Sequence, residues 1–217
     1  MILRPEPGAS TTFERAIQAS LDAVKLPLFA IEPVEWQAPD LTEFDGLLAT
    51  SANVFHQASE EFAKLRALAV YAVGPATAAA ARKAGFTVAG TGQAGLRKLL
   101  SSIDPDLRLL HLAGEDRMDW RLAWQKITSV TTYRARPLDV AQPRVLEDAV
   151  LMIHSPRAGA RLAELDFDKS RTAIAAISEA AAVACGEGWD EVASIRRPDD
   201  SALVALAARL CEKQVGR

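Results

Sequence analysis

Ser51 and Ser155 each close an apolar stretch and open a helical one, in "LLATSAN" (residues 47–53) and "LMIHSPR" (residues 151–157). The two phrases lie 104 residues apart (151 − 47). A second pair, "YAVGPAT" (71–77) and "AAISEAA" (175–181), keeps the same offset (175 − 71), so Gly74 and Thr77 stand opposite Ser178 and Ala181. Residues of these types suit anion binding. A hydroxyl or a bare glycine at a strand-to-helix turn leaves the first helical N–H groups facing outward, where the helix start also carries partial positive charge. The chemistry on offer is a grip on carboxylate or phosphate. The same residues also have a purely local use: a serine before a helix caps it, for about 1 kcal/mol, and a glycine eases a turn.

Other chemistries find less support. His56, His111 and His154 are scattered with no Cys/His cluster, which argues against a transition-metal site. Cys185 and Cys211 sit in Ala/Leu-rich helical patterns and read as buried thiols rather than a disulfide or redox pair. A net charge of −3, with no basic run beyond pairs such as Arg196 and Arg197, argues against a nucleic-acid partner. The opening "MILRPEPGAS" does not read as a secretory signal, and no apolar run reaches membrane-spanning length. The expectation is a cytoplasmic protein with no membrane partner, a monomer by default. Any bound anion must be held by local geometry rather than by the overall field.

The elements that must position these turns follow from periodicity. Short apolar runs at 46–50, 68–73, 107–112, 130–135, 149–154 and 172–177 read as strands buried on both faces. Helices are expected at 11–24, 52–65, 75–84, 95–102, 119–126, 156–164, 179–186 and 201–213. Pro75 and Pro156 suit a first helical turn, and Gly85 suits a helix end. This alternation predicts an α/β fold with parallel sheets. One kind of unit, strand–Ser–helix–strand–turn–helix, recurs at 46–103 and 149–213. Another, strand–turn–helix–strand, recurs at 1–33 and 108–138. Each sheet needs one of each kind. Either 1–104 and 105–217 are sequential domains, or the middle segment is inserted in the other. Pro-containing extended segments at 32–39 and 133–143 stand at the two crossings of the inserted arrangement and favour it. The expected division is then 1–33 plus 144–217 as one domain, 40–132 as the inserted one, and 34–39 and 133–143 as linkers.

"LLATSANVFHQA", "VYAVGPATAAAARKAGF", "HLAGEDR" and "VTTYRARP" together resemble the uroporphyrinogen-III synthase family, in order and spacing, from Leu3 to the final helix. The resemblance implies two α/β domains, one inserted in the other and joined by a two-stranded linker, with the active site in the cleft. It implies closure of hydroxymethylbilane to uroporphyrinogen III, with inversion of the last pyrrole ring and loss of water, and no metal or organic cofactor. The uninverted closure occurs readily in solution, so positioning and preorganised dipoles should matter more than strong acid–base groups.

Carried over by position, Tyr133 matches the family's cleft tyrosine, whose hydroxyl can donate to the departing hydroxyl; an aromatic at a strand end with its hydroxyl in solvent is the alternative. Arg4 follows the first strand, where a substrate carboxylate or a surface ion pair are the two candidate partners. Ser51, Ala52, Gly74, Thr77, Gly114 and Arg117 match the loops of the inserted domain; Glu115 and Asp116 read as solvated helix-start charges. Ser155 and Pro156 match the second serine turn. Ser178, a substrate-binding candidate, stands where glycine is usual and Ala181 where threonine is common, which leaves Ala180 and Ala181 as main-chain contacts. His154 occupies the place of Thr50 in the first copy and reads as a strand-end histidine satisfied by neighbours. The divergence of this second copy keeps a non-catalytic relative that binds a tetrapyrrole or another polyanion as the competing reading.

Overall fold

The computed structural model describes residues 1–56, 60–92, 95–115 and 123–215. In chain order the elements are α1 (Gly8–Gln18), β1 (Phe29–Pro33), β2 (Gly46–Ala49), α2 (Glu60–Lys64), β3 (Val70–Ala72), α3 (Pro75–Lys83), β4 (Val88–Thr91), α4 (Leu96–Leu100), β5 (Arg108–Gly114), β6 (Lys126–Pro137), β7 (Val150–Ile153), α5 (Pro156–Ala163), β8 (Ala173–Ala176), α6 (Glu179–Ala184), β9 (Glu191–Ser194) and α7 (Asp200–Val215). Short 3-10 turns cover Ala52–His56 and Leu65–Ala67, among others. The chain is α/β with parallel sheets and divides into two units. An inserted unit spans Ile31–Ala135, and a split unit joins Met1–Ala30 to the chain from 136 onward. The first crossing thus falls inside β1, before the segment 34–39 expected to carry it.

In the inserted unit the strands run in the order β6-β5-β2-β3-β4, with β1 added beyond β6. The pairs among β2 to β6 are parallel. Because side chains alternate across a strand, successive residues feed two cores. Leu47, Ala49, Val70, Ala72, Leu110 and Leu112 pack against Val54, Phe55, Phe62, Leu65 and α3. Leu48 and Leu109 pack on the opposite face against Leu99 and Leu100 of α4. The β1–β6 pairing is antiparallel in register: Val34 N–H donates to Thr132 O, and Leu138 N–H donates to Leu28 O.

In the split unit β7, β8 and β9 are parallel neighbours. Ile2 extends this sheet through parallel bridges to Met152 on one side and Lys25 on the other. The spatial order is therefore residue 25, residue 2, β7, β8, β9. It repeats the inserted unit's order, with one change. The strand pair that follows β4 along the chain in the inserted unit precedes β7 in the split unit. The four residues of β7 and of β8 are all buried, as central parallel strands require. Gly159 of α5 sits so close to α6 that a Cβ there would lie 2.7 Å from Ala181 O and 3.1 Å from Ala184 Cβ.

Several local expectations need correction. The strands β4 and β9 were not anticipated; they alternate half-buried and exposed residues and include Ala and Gly, so they lack the apolar run that marks a central strand. The helix expected at 11–24 is α1, which starts and ends earlier. Ser20 adopts φ 59, and Leu21 N–H turns back to Ala16 O, which stops the helix. The helix expected at 52–65 opens as a 3-10 turn, because adjacent Val54 and Phe55 both go into the core rather than taking helical spacing. Half of the helix expected at 119–126, residues 119–122, lies outside the described residues, and Lys126 begins β6 rather than ending a helix. Residues 133–137 of the expected second linker continue β6.

Candidate functional site

In a parallel sheet of this order ligands bind beyond the strands' carboxyl ends, at the point where the order reverses. That point lies between β2 and β5 in the inserted unit and between residue 2 and β7 in the split unit. The first places Ser51, Gly114 and Tyr133 together; the second places Arg4 with His154 and Ser155. The next strands, β3 and β8, end at Gly74 and Ser178.

In the inserted unit, Ser51 Oγ accepts Asn53 N–H at 3.2 Å, and Ala52 starts the 3-10 turn. The full α-helix start expected behind Ser51 is absent there, so its dipole does not operate at this turn. Gly74 caps α3 in an extended conformation (φ −162, ψ 170) with no side-chain hydrogen bond to the helix, and a Cβ at this position would meet nothing within 4 Å. Neither backbone geometry nor crowding demands glycine here. Thr77, in the first turn of α3, is 6% exposed. Gly114 is different: a Cβ there would lie 2.8 Å from Tyr133 Cζ. The register slips by one between Ala113 and Gly114, so Gly114 faces Tyr133 and Glu115 N–H donates to Tyr133 O at 2.9 Å. The phenol lies over the bare glycine at the strand end, half-buried against the core. Arg117 and Asp116 lie outside the described residues.

Behind Thr50, His111 is 2% exposed, with Nε2 3.1 Å from Thr50 Oγ1 and Nδ1 3.0 Å from Ser129 Oγ. Burial pushes its pKa down to about 4, so the ring is neutral at pH 7.

In the split unit, Ser155 Oγ accepts Ala158 N–H at 3.2 Å and Pro156 occupies the first turn of α5. Ser178 Oγ accepts Ala181 N–H at 3.3 Å. Both serines act as helix caps. Ala181 is fully buried with its N–H already engaged, so it has no donor left to offer, while Ala180 is exposed on the first turn of α6. The close α5–α6 contact at Gly159 accounts for the small residues here.

The split unit's charges gather on Asp200, at the start of α7. Its Oδ1 accepts Thr12 Oγ1–H at 2.7 Å and lies 2.9 Å from His154 Nε2 and 3.5 Å from Arg4 Nη1; its Oδ2 pairs with Arg15. Burial alone would raise the Asp200 pKa, but hydrogen bonds from His154, Thr12 and Arg15 outweigh it and hold the carboxylate well below its usual range. His154 is lowered, chiefly by burial and against the pull of Asp200, so a neutral ring donating from Nε2 fits the contact. Arg4 is lowered by burial, which Asp200 partly offsets, and it remains charged. Arg4 thus has the ion pair that was one of its two expected partners, and 32% of its side chain stays exposed. His154 is satisfied by its neighbours, as its position suggested. Asp200 and Thr12 were missed because no spacing links residues 4, 12 and 200. The only local cue, "PDDS" before a helical run, reads as a cap, which Asp199 supplies by accepting Ala202 N–H.

Among the described residues no group of three or more His, Cys, Asp or Glu could hold a metal ion, and no helix is long and apolar enough to cross a membrane.

A family model described as uroporphyrinogen-III synthase HemD matches residues 10–205. The uroporphyrinogen-III synthase of Chlorobaculum parvum (strain DSM 263 / NCIMB 8327) is 30% identical over 115 residues. That alignment spans about half of either protein, 48% of this chain and 47% of the relative. The fold resembles the crystal structure of uroporphyrinogen-III synthetase from Helicobacter pylori 26695 (TM-score 0.66, 16% identity, 85% of this chain and 92% of that one). It also resembles a mutant uroporphyrinogen III synthase from the extremely thermophilic bacterium Thermus thermophilus (TM-score 0.56, 16% identity, 98% and 99% covered).

Proposed function

The chain belongs to the uroporphyrinogen-III synthase family, and we propose that it closes hydroxymethylbilane to uroporphyrinogen III, inverting the last pyrrole ring and releasing water. The observation that carries this reading is the family match across residues 10–205 of a 217-residue chain. The strand-end geometry agrees with the reaction's demands. The substrate is a small molecule bearing many carboxylates, and the strand ends offer it a guanidinium at Arg4 and, at Gly74, a helix start with no side-chain cap.

The reaction begins when the hydroxymethyl group loses its hydroxyl, leaving a cation stabilised by the adjoining pyrrole. The Tyr133 hydroxyl donates its proton to that hydroxyl, which departs as water, and the proton that the last ring sheds on final closure restores the phenol. The ring's seat on Gly114 fixes the direction of the donor, so little reorganisation is needed as charge develops. The cation is then attacked by the last ring at its already substituted carbon. The resulting spiro intermediate reopens and recloses in the inverted sense. The pyrroles supply the electrons throughout; the protein's share is to hold the chain in the fold that leads to inversion. Arg4, Ser51, Ala52, Gly74, Thr77, Gly114, Ser155, Pro156, Ser178 and Ala180 belong to the proposed binding loops, Arg4 through its guanidinium and most others through main-chain groups. A cytoplasmic monomer acting without metal or organic cofactor completes the reading.

The test is to supply freshly made hydroxymethylbilane, oxidise the products and separate the porphyrin isomers by chromatography. Type III should dominate and scale with enzyme. Type I alone, at the rate seen without protein, would overturn the proposal.

A further inference from the structure

Arg4 is not simply a surface residue that happens to meet Asp200. Its guanidinium lies on Gly8, the first residue of α1, where a Cβ would come within 2.3 Å of Nε and 2.5 Å of Cζ and Nη2. Its Nη1 is shared between Asp200 Oδ1 at 3.5 Å and Thr12 Oγ1 at 3.4 Å. Thr12 is itself fully buried and donates to the same Asp200 oxygen at 2.7 Å, His154 Nε2 meets that oxygen too at 2.9 Å, and Arg15 holds the other one. One edge of the guanidinium is therefore anchored. Among the described residues the other donors, Nε and Nη2, have no hydrogen-bond partner. Two guanidinium groups share one carboxylate and the imidazole beside them is neutral; the other carboxylate acting on Arg4, Glu6, is itself paired with Lys25, so the guanidinium pair keeps an excess of positive charge. All of this lies at the carboxyl end of the residue-2 strand, where the sheet order reverses.

We propose that Gly8, Thr12 and Asp200 are positioning residues that hold Arg4 in one orientation, with its free edge presented to a carboxylate of the substrate. This rests on the synthase reading for the identity of the polyacid, but the geometry asks only for a carboxylate. A guanidinium on a free side chain loses rotamer freedom when it binds; one already seated on Gly8 and anchored at Nη1 does not, so the gain appears as affinity. None of the three touches the substrate.

The test uses Gly8→Ala, Asp200→Asn and Thr12→Val, each alone and combined with Arg4→Ala, in the full chain. Gly8→Ala is the sharpest variant, because alanine suits a helix start no worse than glycine and the three atoms nearest the added methyl all belong to Arg4. Two quantities are measured: KM and kcat for isomer III formation, and the equilibrium Kd for uroporphyrinogen III kept reduced in the dark. Each single variant should raise KM and Kd about five- to twentyfold with kcat changed less than twofold, and each effect should vanish in the Arg4→Ala background, since coupled residues are not additive. Circular dichroism and melting of Gly8→Ala should match the wild type. Effects that persist unchanged without Arg4 would make these residues merely structural. An unaltered Kd in Arg4→Ala itself would remove the carboxylate receptor even if isomer III is still made. Should the wild type make no isomer III, the Kd series still decides the matter, so the two readings fail separately.

Discussion

The inserted and split units share one strand order, differing only in where the chain enters it, yet they equip the same strand ends differently. After its central strand the inserted unit has Thr50 and Ser51 followed by a 3-10 turn; the split unit has His154 and Ser155 followed by the full helix α5. At the second turn, Gly74 leaves α3 with no side-chain cap, whereas Ser178 caps α6. At the third position, the inserted unit sets a phenol over Gly114, and the split unit sets Arg4 over Gly8. The duplicated part is the backbone frame. What each copy keeps is a glycine under one large polar side chain, a proton donor in one unit and a cation in the other.

The largest expected break in this comparison is Tyr133→Phe. It removes only the donor, and the ring still fits Gly114. Turnover of hydroxymethylbilane should fall about 100-fold with KM nearly unchanged, the lower end of what general-acid assistance commonly contributes. The Arg4 variants should show the opposite split. If Tyr133→Phe instead raises KM and spares kcat, both units only bind, and the division of labour disappears.

Next comes a pair of glycine substitutions that geometry separates. Gly159→Ala puts a methyl 2.7 Å from the Ala181 carbonyl, so α5 and α6 must part, at roughly 1–3 kcal/mol. Gly74→Ala enters open space with an extended backbone and should cost within about 1 kcal/mol, mostly through its poorer capping. Denaturant titration of both variants settles the point. Equal losses would mean that the α5–α6 contact is looser than it stands here.

What could be read from the sequence follows from the range of each interaction. The repeat at offset 104, the buried central strands and the serine turns are local patterns, so β2, β3, β7 and β8 were all legible. The edges β4 and β9 were not, because a half-exposed strand carries no apolar run. Ser155 and Ser178 were recognisable as caps. That Ser51 opens a tighter turn depends on Val54 and Phe55 packing into a core which the sequence does not display. Arg4 was singled out, but its carboxylate partner stands 196 residues away, and a contact of that range leaves no trace in spacing. The reason for Gly114 was likewise hidden, since it is a ring from another strand.

Acid separates the two units in a further way. His111 has a folded pKa of about 4, below its unfolded value of about 6.5. The unfolded chain therefore takes up the proton first, and stability falls as pH drops from 6.5 towards 4. A shift of this size corresponds to about 3 kcal/mol once pH 4 is reached, and about 2 kcal/mol by pH 5. His154 shifts in the same direction, with Asp200 opposing it. The contribution of Asp200, whose folded pKa is depressed, is present above its unfolded pKa near 4 and is lost only below that. His111→Gln should flatten part of the melting-temperature profile between pH 6.5 and 5 and leave the steeper loss below pH 4 in place. An unchanged slope between pH 6.5 and 5 would move the acid sensitivity to the split unit.

The smallest expected effect tests the serine pair with which the repeat begins. Ser155 Oγ caps an eight-residue α-helix by accepting one of its otherwise unpaired first-turn N–H groups. Among the described residues Ser51 Oγ meets only Asn53 N–H, at the start of a five-residue 3-10 turn. Ser155→Ala should therefore cost about 1 kcal/mol of stability, as N-cap losses do. Ser51→Ala should cost a few tenths, because a 3-10 turn sums fewer aligned dipoles and its shape is already set by Val54 and Phe55 in the core. Activity should sort the other way if Ser51's hydroxyl serves the substrate, since a hydroxyl accepting one N–H bond keeps its own proton to donate. Urea midpoints and isomer III rates on the two variants give both orders at once. Matching losses in stability would mean that the two serines serve alike as caps and that the two turns do not differ in what they hold.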